Sequence, residues 1–191
     1  MKIKKETINI ILYLSILFTT IFLVLAITTG LWVNEFSYLT NPNQIAKVTT
    51  TNYIQNIDGT SSFKLTLNKE NDVSNIDHLF NPNNKGISTT NEYLLNGDRY
   101  TVEIIKIEWS DLFKSLGLNR SYKITGIKSG YVDSSKQKAN QTDTFTIDGG
   151  LDEFINTVID NPDLSSFFAK SIIKDTKTYS YLESPLVTII K

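Results

Sequence analysis

Hydrophobic and polar positions follow three different rhythms along this chain. The first is an unbroken apolar run. From Ile10 to Val33 it is interrupted only by Ser15, four threonines and Gly30, and no charge falls between Glu6 and Glu35. A helix rising ~1.5 Å per residue spans a ~30 Å hydrocarbon core with about 20 such residues, so this run is long enough. A cleaved secretory signal has a shorter apolar core, then small residues at the cut. The only candidate patch here, Ala26-Ile27-Thr28, fits that poorly, and no cysteine follows for lipid attachment. Residues 7–33 therefore predict an uncleaved signal-anchor. Trp32, Phe36 and Tyr38 fall where an interfacial aromatic belt belongs.

The second rhythm has period two. Residues 34–44 are polar, end in the turn-forming Asn41-Pro42-Asn43, and are expected to be a stalk. From Ile45 to Thr51 the segment is rich in β-branched residues, and Phe63, Leu65 and Leu67 then alternate with Lys64, Thr66 and Asn68. The two segments predict a hairpin around Asn56–Gly59. Residues 69–98, rich in Asn and broken by Pro82 and Gly86, predict a long loop with one helical turn near Ile76–Phe80. In Arg99–Trp109, Tyr100, Val102 and Ile104 share one face, and Ile105, Ile107 and Trp109 the other. Such a switch predicts a bulge or a strand buried on both faces. Ser110 or Asp111 is placed to cap a short turn through Leu116, stopped at Gly117. Strands follow over Arg120–Asp133 and Thr144–Ile147, separated by a polar linker, Ser134–Gln141.

The third rhythm is helical. Leu151, Phe154, Ile155, Val158 and Ile159 form an i, i+3, i+4, i+7, i+8 stripe. Asn161-Pro162 ends that helix and suits the start of the next, with Leu164, Phe167, Phe168 and Ile172 as its stripe. Lys170 and Lys174 are expected near its C-terminal end. Thr176–Leu182 and Leu186–Ile190 are β-like again. Strands first, then a helical pair, predict an α+β domain over 45–191: an antiparallel sheet packed by a C-terminal helical pair.

Charge sets the expected orientation. Lys2, Lys4 and Lys5 precede the run, and no Lys or Arg follows it until Lys47. Residues 1–6 are thus expected to stay inside, in cytoplasm or stroma, and residues 34–191 outside, beyond a plasma membrane or in a thylakoid lumen. The chain carries −1 overall; residues 1–6 account for +2 and leave −3 for the rest. That sign and size disfavour nucleic acid as a partner. Heavy use of Ile, Asn and Lys, with Lys far ahead of Arg, points to AT-rich coding, as in a low-GC bacterium or a plastid genome. The absence of cysteine removes disulfides, thiolate metal sites and thiol nucleophiles.

Candidate chemistry is sparse. His78, the single histidine, follows Asp77, but no G-x-S-x-G elbow supplies a nucleophile. Ser171-Ile172-Ile173-Lys174 has S-x-x-K spacing without the companion S-D-N and K-T-G elements. Asn81–Glu92 mimics a calcium loop through Asn83, Gly86 and Glu92, with Lys85 at a ligand position. Glu103, Glu108 and Asp111 are the carboxylates available for acid–base hydrolysis, and Gly149-Gly150 is too short for a phosphate loop and suits a turn. No catalytic, cofactor or metal residue is assigned. Trp109, Phe113 and Arg120 are the candidate partner-binding residues, because Trp and Arg dominate interface hot spots. The expectation is a single-pass, membrane-anchored, non-enzymatic interaction or assembly module with a protein partner in the membrane or envelope. A domain binding a small apolar ligand or lipid is the alternative, and a carboxylate-dependent hydrolase the remaining one.

Overall fold

The apolar run forms one continuous helix, α1 (Lys5–Asn34). It is long and apolar enough to cross a membrane, and from Ile8 to Thr28 its side chains are exposed on all sides. The computed structural model describes residues 5–41, 44–150, 153–181 and 187–190.

The remaining chain builds two antiparallel sheets. In the first, β1 (Ser37–Tyr38) lies beside β6 (Arg120–Gly130), which pairs with β5 (Arg99–Trp109), which pairs with β8 (Ala169–Ser180); the short β7 (Thr144–Thr146) also pairs with β6. The second has the order β4 (Ile87–Asn96), β3 (Ser61–Asp72), β2 (Ala46–Gln55), β9 (Val187–Ile190). Phe63, Leu65, Leu67 and Leu95 of the second sheet pack on Tyr100, Val102, Ile104 and Ile124 of the first. The Phe63 and Tyr100 rings meet at 6.1 Å across that interface. Face-to-face sheets of this kind bury alternate residues of each strand.

The chain changes sheets between β4 and β5 through Gly97, whose φ is +140°. A Cβ there would lie 2.1 Å from the carbonyl oxygen of Gly130, so no other residue fits without moving the backbone.

Burial on both faces, and not a bulge within the strand, accounts for the two-sided pattern of Arg99–Trp109. β5 is buried on both faces, with Tyr100, Val102 and Ile104 toward the second sheet and Ile105, Ile107 and Trp109 in a separate core on the opposite face. The bulge sits on its neighbour: Glu103 pairs with Gly126 and Ile104 with Ile124, leaving Thr125 as the extra residue of β6. Beyond it Ile127, not Gly126, continues the inner face set by Tyr122 and Ile124.

Three expectations need correction. Residues 69–98 are not a long loop: β3 runs to Asp72, α2 (Asn75–Phe80) follows, and β4 pairs with β3 from Ile87 to Asn96. β4 is an edge strand, where a polar sequence is tolerated and cross-strand hydrogen bonds override weak local propensity. The second C-terminal helix stops at Phe168, and Lys170–Lys174 belong to β8, whose register against β5 runs from Ala169 to Ser180. Finally, the helical pair does not cover a lone sheet. α5 (Glu153–Asp160) and α6 (Pro162–Phe168) pack on one end of the first sheet's outer face, through Ile155 and Val158, while the larger core lies between two sheets. Leu151 and the Phe154 side chain lie outside the described residues.

Most local signals at helix ends hold. Asn161 caps α6 by accepting from the backbone N–H groups of Asp163 and Leu164, with Pro162 in its first turn. α3 (Asp111–Ser115) ends before Gly117, at φ +105°, but Ser110 at its N-cap position makes no side-chain capping hydrogen bond. The linker after β6 contains a short helix, α4 (Ser134–Ala139), capped by Asp133.

Candidate functional site at the root of the apolar helix

The last turn of α1 is part of the domain's outer core. Trp32 and Val33 are buried, as is Phe36 just beyond the helix. The Trp32 ring lies 5.2 Å from Trp109, 4.7 Å from Phe168 and 5.8 Å from Phe36, and Phe113 lies 5.4 Å from Trp109. The aromatic belt expected from Trp32 and Phe36 is therefore turned inward. Residues 34–44, expected as a stalk, include the buried Phe36 and the β1 strand paired with Tyr122 and Ser121.

A chain of buried hydrogen bonds closes this junction. Trp109 Nε1 donates to Ser121 Oγ (2.6 Å), Ser121 Oγ donates to Asn75 Oδ1 (2.7 Å), and Asn75 Nδ2 donates to the Val33 carbonyl (3.0 Å). The Val33 carbonyl, at the C-terminus of α1, also accepts a long 3.4 Å bond from the Phe36 backbone N–H, and Asn75 adds a shorter cap from a distant element. The Asn75 backbone N–H also donates to the Phe36 carbonyl. Trp32 Nε1, by contrast, is buried with no hydrogen-bond partner among the described residues. At the edge of the junction, the buried Lys123 ammonium pairs with Glu35 at 2.5 Å.

On the opposite face of this end of β5, Leu39, Ile45, Lys106, Glu108, Arg120 and Ile173 line a surface groove of about 270 Å³. Ion pairs hold its polar wall: Glu108 with Lys114 at 2.9 Å, and Lys106 with Asp175 at 3.0 Å. The hydrogen bond from Lys114 holds the Glu108 carboxyl below its usual range, and that from Lys106 does the same for Asp175.

A second ionic cluster braces the sheets. The buried Lys69 lies 3.0 Å from Asp72 and 2.7 Å from Asp148, and Ser37 Oγ donates to Asp72. Burial alone would lower the lysine's pKa, but the hydrogen bond to Asp148 and the charge of Asp72 outweigh it and leave it raised. Burial, followed by the charge of Asp72, pushes the Tyr122 hydroxyl well up. Asp148 takes φ +50°, which a non-glycine residue adopts rarely.

Of the sequence candidates, Trp109 and Phe113 are buried in the junction and Arg120 is exposed at the groove. The structure places them on one end of one sheet but on different sides of it. His78 stacks on Tyr38 with ring centroids 3.5 Å apart, and partial burial lowers its pKa. Ser171 and Lys174 are three apart on a strand, hence on opposite faces, and Lys174 pairs with Asp160. Glu92 lies on β4 and pairs with Lys64, while Asn81 sits at the C-terminal end of α2. Glu103 is paired with Lys128, and Asp111 is exposed in the first turn of α3. Gly149 and Gly150 both take positive φ in the turn closed by Gly150 N–H on the Ile147 carbonyl. Among the described residues no group of three His, Cys, Asp or Glu side chains is placed to hold a metal ion.

Sequence reasoning missed Asn75, Ser121 and the Lys69 cluster. Their defining contacts, Asn75 with Val33 and Ser121 and Lys69 with Asp148, join positions 42 to 79 apart, and single polar residues carry no periodic signal. No protein-family model, curated protein or solved structure matches this chain.

Proposed function

We propose that this chain is a single-pass membrane-anchored, non-enzymatic module. In this reading α1 spans the bilayer, the N-terminal tail stays inside, and the two-sheet domain engages or helps assemble another membrane or envelope protein outside. The observation that carries it is the root of α1. A helix whose last turn is capped by Asn75 and packed on Trp109 holds its domain at a fixed height and angle above the bilayer. Such fixed presentation suits a scaffold, because pre-orienting a binding surface lowers the entropy lost on association. The groove beside the root, with Leu39 and Ile173 next to Arg120, Lys106 and Glu108, combines apolar and charged groups as partner surfaces do.

The alternatives draw less support. Trp32, Trp109, Phe113, Ile155 and Phe168 fill the space between the first sheet and the helical pair, where an apolar ligand would sit. Lys114 lowers the Glu108 pKa and leaves that carboxylate unsuited to serve as a general acid, and Glu103 is tied to Lys128.

Photo-crosslinking residues placed at Arg120 and Ile173 of the full chain, in native membranes, test the proposal. A discrete adduct with one membrane protein from both positions, and none from Ile57 on the distant hairpin, is expected. Equal labelling from all three positions, or release of the chain by alkaline carbonate, overturns it.

A further inference from the structure

We infer that the base of the domain is itself a membrane-contacting surface, in which exposed apolar side chains of α2, α3 and α6 form a collar that dips into the lipid interface around α1. The inference rests on the anchor reading above and adds a second, independent contact with the bilayer.

Geometry forces the two surfaces together. Twenty residues from Ile8 to Ile27 suffice for a ~30 Å hydrocarbon core. Burial against the domain begins at Thr29, and Trp32 is fully packed. Only Thr28 separates the two, and the helix is unbroken through Asn34. No spacer exists that would lift the domain off the bilayer.

The composition of the base matches that position. α2 packs against α1, and α3 and α6 close around its last turn through Phe113 and Phe168. Ser110 Oγ donates to the Phe167 carbonyl and ties α3 to α6, and Leu79 of α2 lies beside Gly117 at the end of α3. These three short helices, with Leu116 just past the end of α3, expose Phe80, Leu112, Leu116, Leu164 and Phe167, the first at 87% and the last at 59%. Leu31 of α1 is 65% exposed and makes the collar continuous with the apolar surface of the span. Elsewhere on the domain exposed large hydrophobics are distributed over several strands and turns, among them Ile54, Ile57, Ile87, Leu94 and Ile173, which is ordinary for a protein surface. A clustered apolar ring that adjoins a span has one occupant at hand, the lipid interface, where apolar side chains bury by a few ångströms.

The charge nearby argues for how the collar attaches. Asp77, Asp111 and Asp163 are exposed in the first turns of the same three helices. Attraction to anionic headgroups is therefore not the driving term; insertion of apolar side chains is. Contact should be as strong on zwitterionic as on anionic bilayers.

The cysteine-free chain allows a direct test. Single-cysteine variants Phe167→Cys, Leu116→Cys, Ile57→Cys and Ile16→Cys of the full chain, labelled with an environment-sensitive fluorophore, are reconstituted into phosphatidylcholine vesicles. The vesicles carry phosphatidylcholine spin-labelled either near the headgroup or deep in the chain. The headgroup-proximal label should quench most of the emission at 167 and 116 and little at 57, and the deep label should quench position 16. Probes at 167 and 116 that respond no more than 57, while 16 is quenched, overturn the collar and leave the anchor standing. An unquenched probe at 16 overturns both. Probes at 167 and 116 shielded from lipid and from aqueous iodide alike mark contact between copies of the chain, and overturn the lipid assignment.

Discussion

Asn75 caps Val33. The side-chain amide of a residue in a short surface helix donates at 3.0 Å to a carbonyl at the end of the apolar helix, and its oxygen accepts from Ser121. The junction between span and domain is thus a buried polar network inside an aromatic core, and every member has a partner to lose.

Asn75→Ala leaves the Val33 carbonyl with only the 3.4 Å bond from the Phe36 N–H, and the buried Ser121 hydroxyl without its acceptor. An unsatisfied buried group costs about 1–3 kcal/mol, so a denaturant midpoint of the full chain in detergent should fall clearly. The two junction tryptophans provide the contrast. Trp109→Phe loses a hydrogen bond to Ser121, whereas Trp32→Phe loses none, because Trp32 Nε1 has no partner among the described residues. The Trp109 variant should be the less stable of the two; the reverse order would show that ring volume, not the network, governs the junction.

Truncation tests how far the helix belongs to the domain. On the sequence alone, residues 45–191 suggest a unit that folds without its anchor. The structure revises this, since removing residues 1–44 strips Trp32, Val33 and Phe36 from the outer core and β1 from β6. Each such side chain contributes about 1.5–3 kcal/mol. A chain of residues 29–191 should melt cooperatively, and one of residues 45–191 should melt far lower or aggregate. Equal midpoints by calorimetry would contradict the rooted junction.

Ion pairs differ by burial. Removing one partner of a buried pair costs about 3–5 kcal/mol, because the other charge is stranded. Lys69→Ala leaves Asp72 and Asp148 in that situation, with Asp148 partly relieved by its exposure. Lys64→Ala breaks the exposed pair with Glu92 and should cost less than about 1 kcal/mol. Urea titration of the two variants checks the difference.

Acid should weaken the fold in two stages. Burial lowers the His78 pKa below 6.5 in the folded state, so the unfolded chain binds the proton first. Its contribution is complete above pH 6.5 and fades as pH falls through the folded value. The carboxyls of Glu108 and Asp175 are also lowered, by Lys114 and Lys106, so their contribution is complete above the unfolded carboxylate range and is lost as pH falls below it. Thermal midpoints measured from pH 7 to pH 3 should show both declines. His78→Gln should abolish the first and leave the second.

Local rhythm determined most of what was legible. A charge-free run longer than a bilayer requires announces α1, because apolar side chains and backbone hydrogen bonding within one segment need nothing from the rest of the chain. The alternation around Phe63 and Tyr100, the Asn161 cap and the turn at Gly117 are equally local, and each is where the sequence places it. What required tertiary structure was every decision made between distant segments. The polar stretch from Ile87 to Asn96 is a strand because β3 offers it a row of hydrogen bonds, and Lys170–Lys174 leave the helix because β5 has an open edge. Trp32 and Phe36, placed at the lipid interface by their position after an apolar run, are instead core residues, since Trp109 and Phe168 meet them across more than seventy positions. Asn75, unremarkable in an Asn-rich stretch, becomes the cap of the helix. Hydrophobic periodicity records which faces are buried; it does not record against what, and at this junction the partner is what turns a tether into a root.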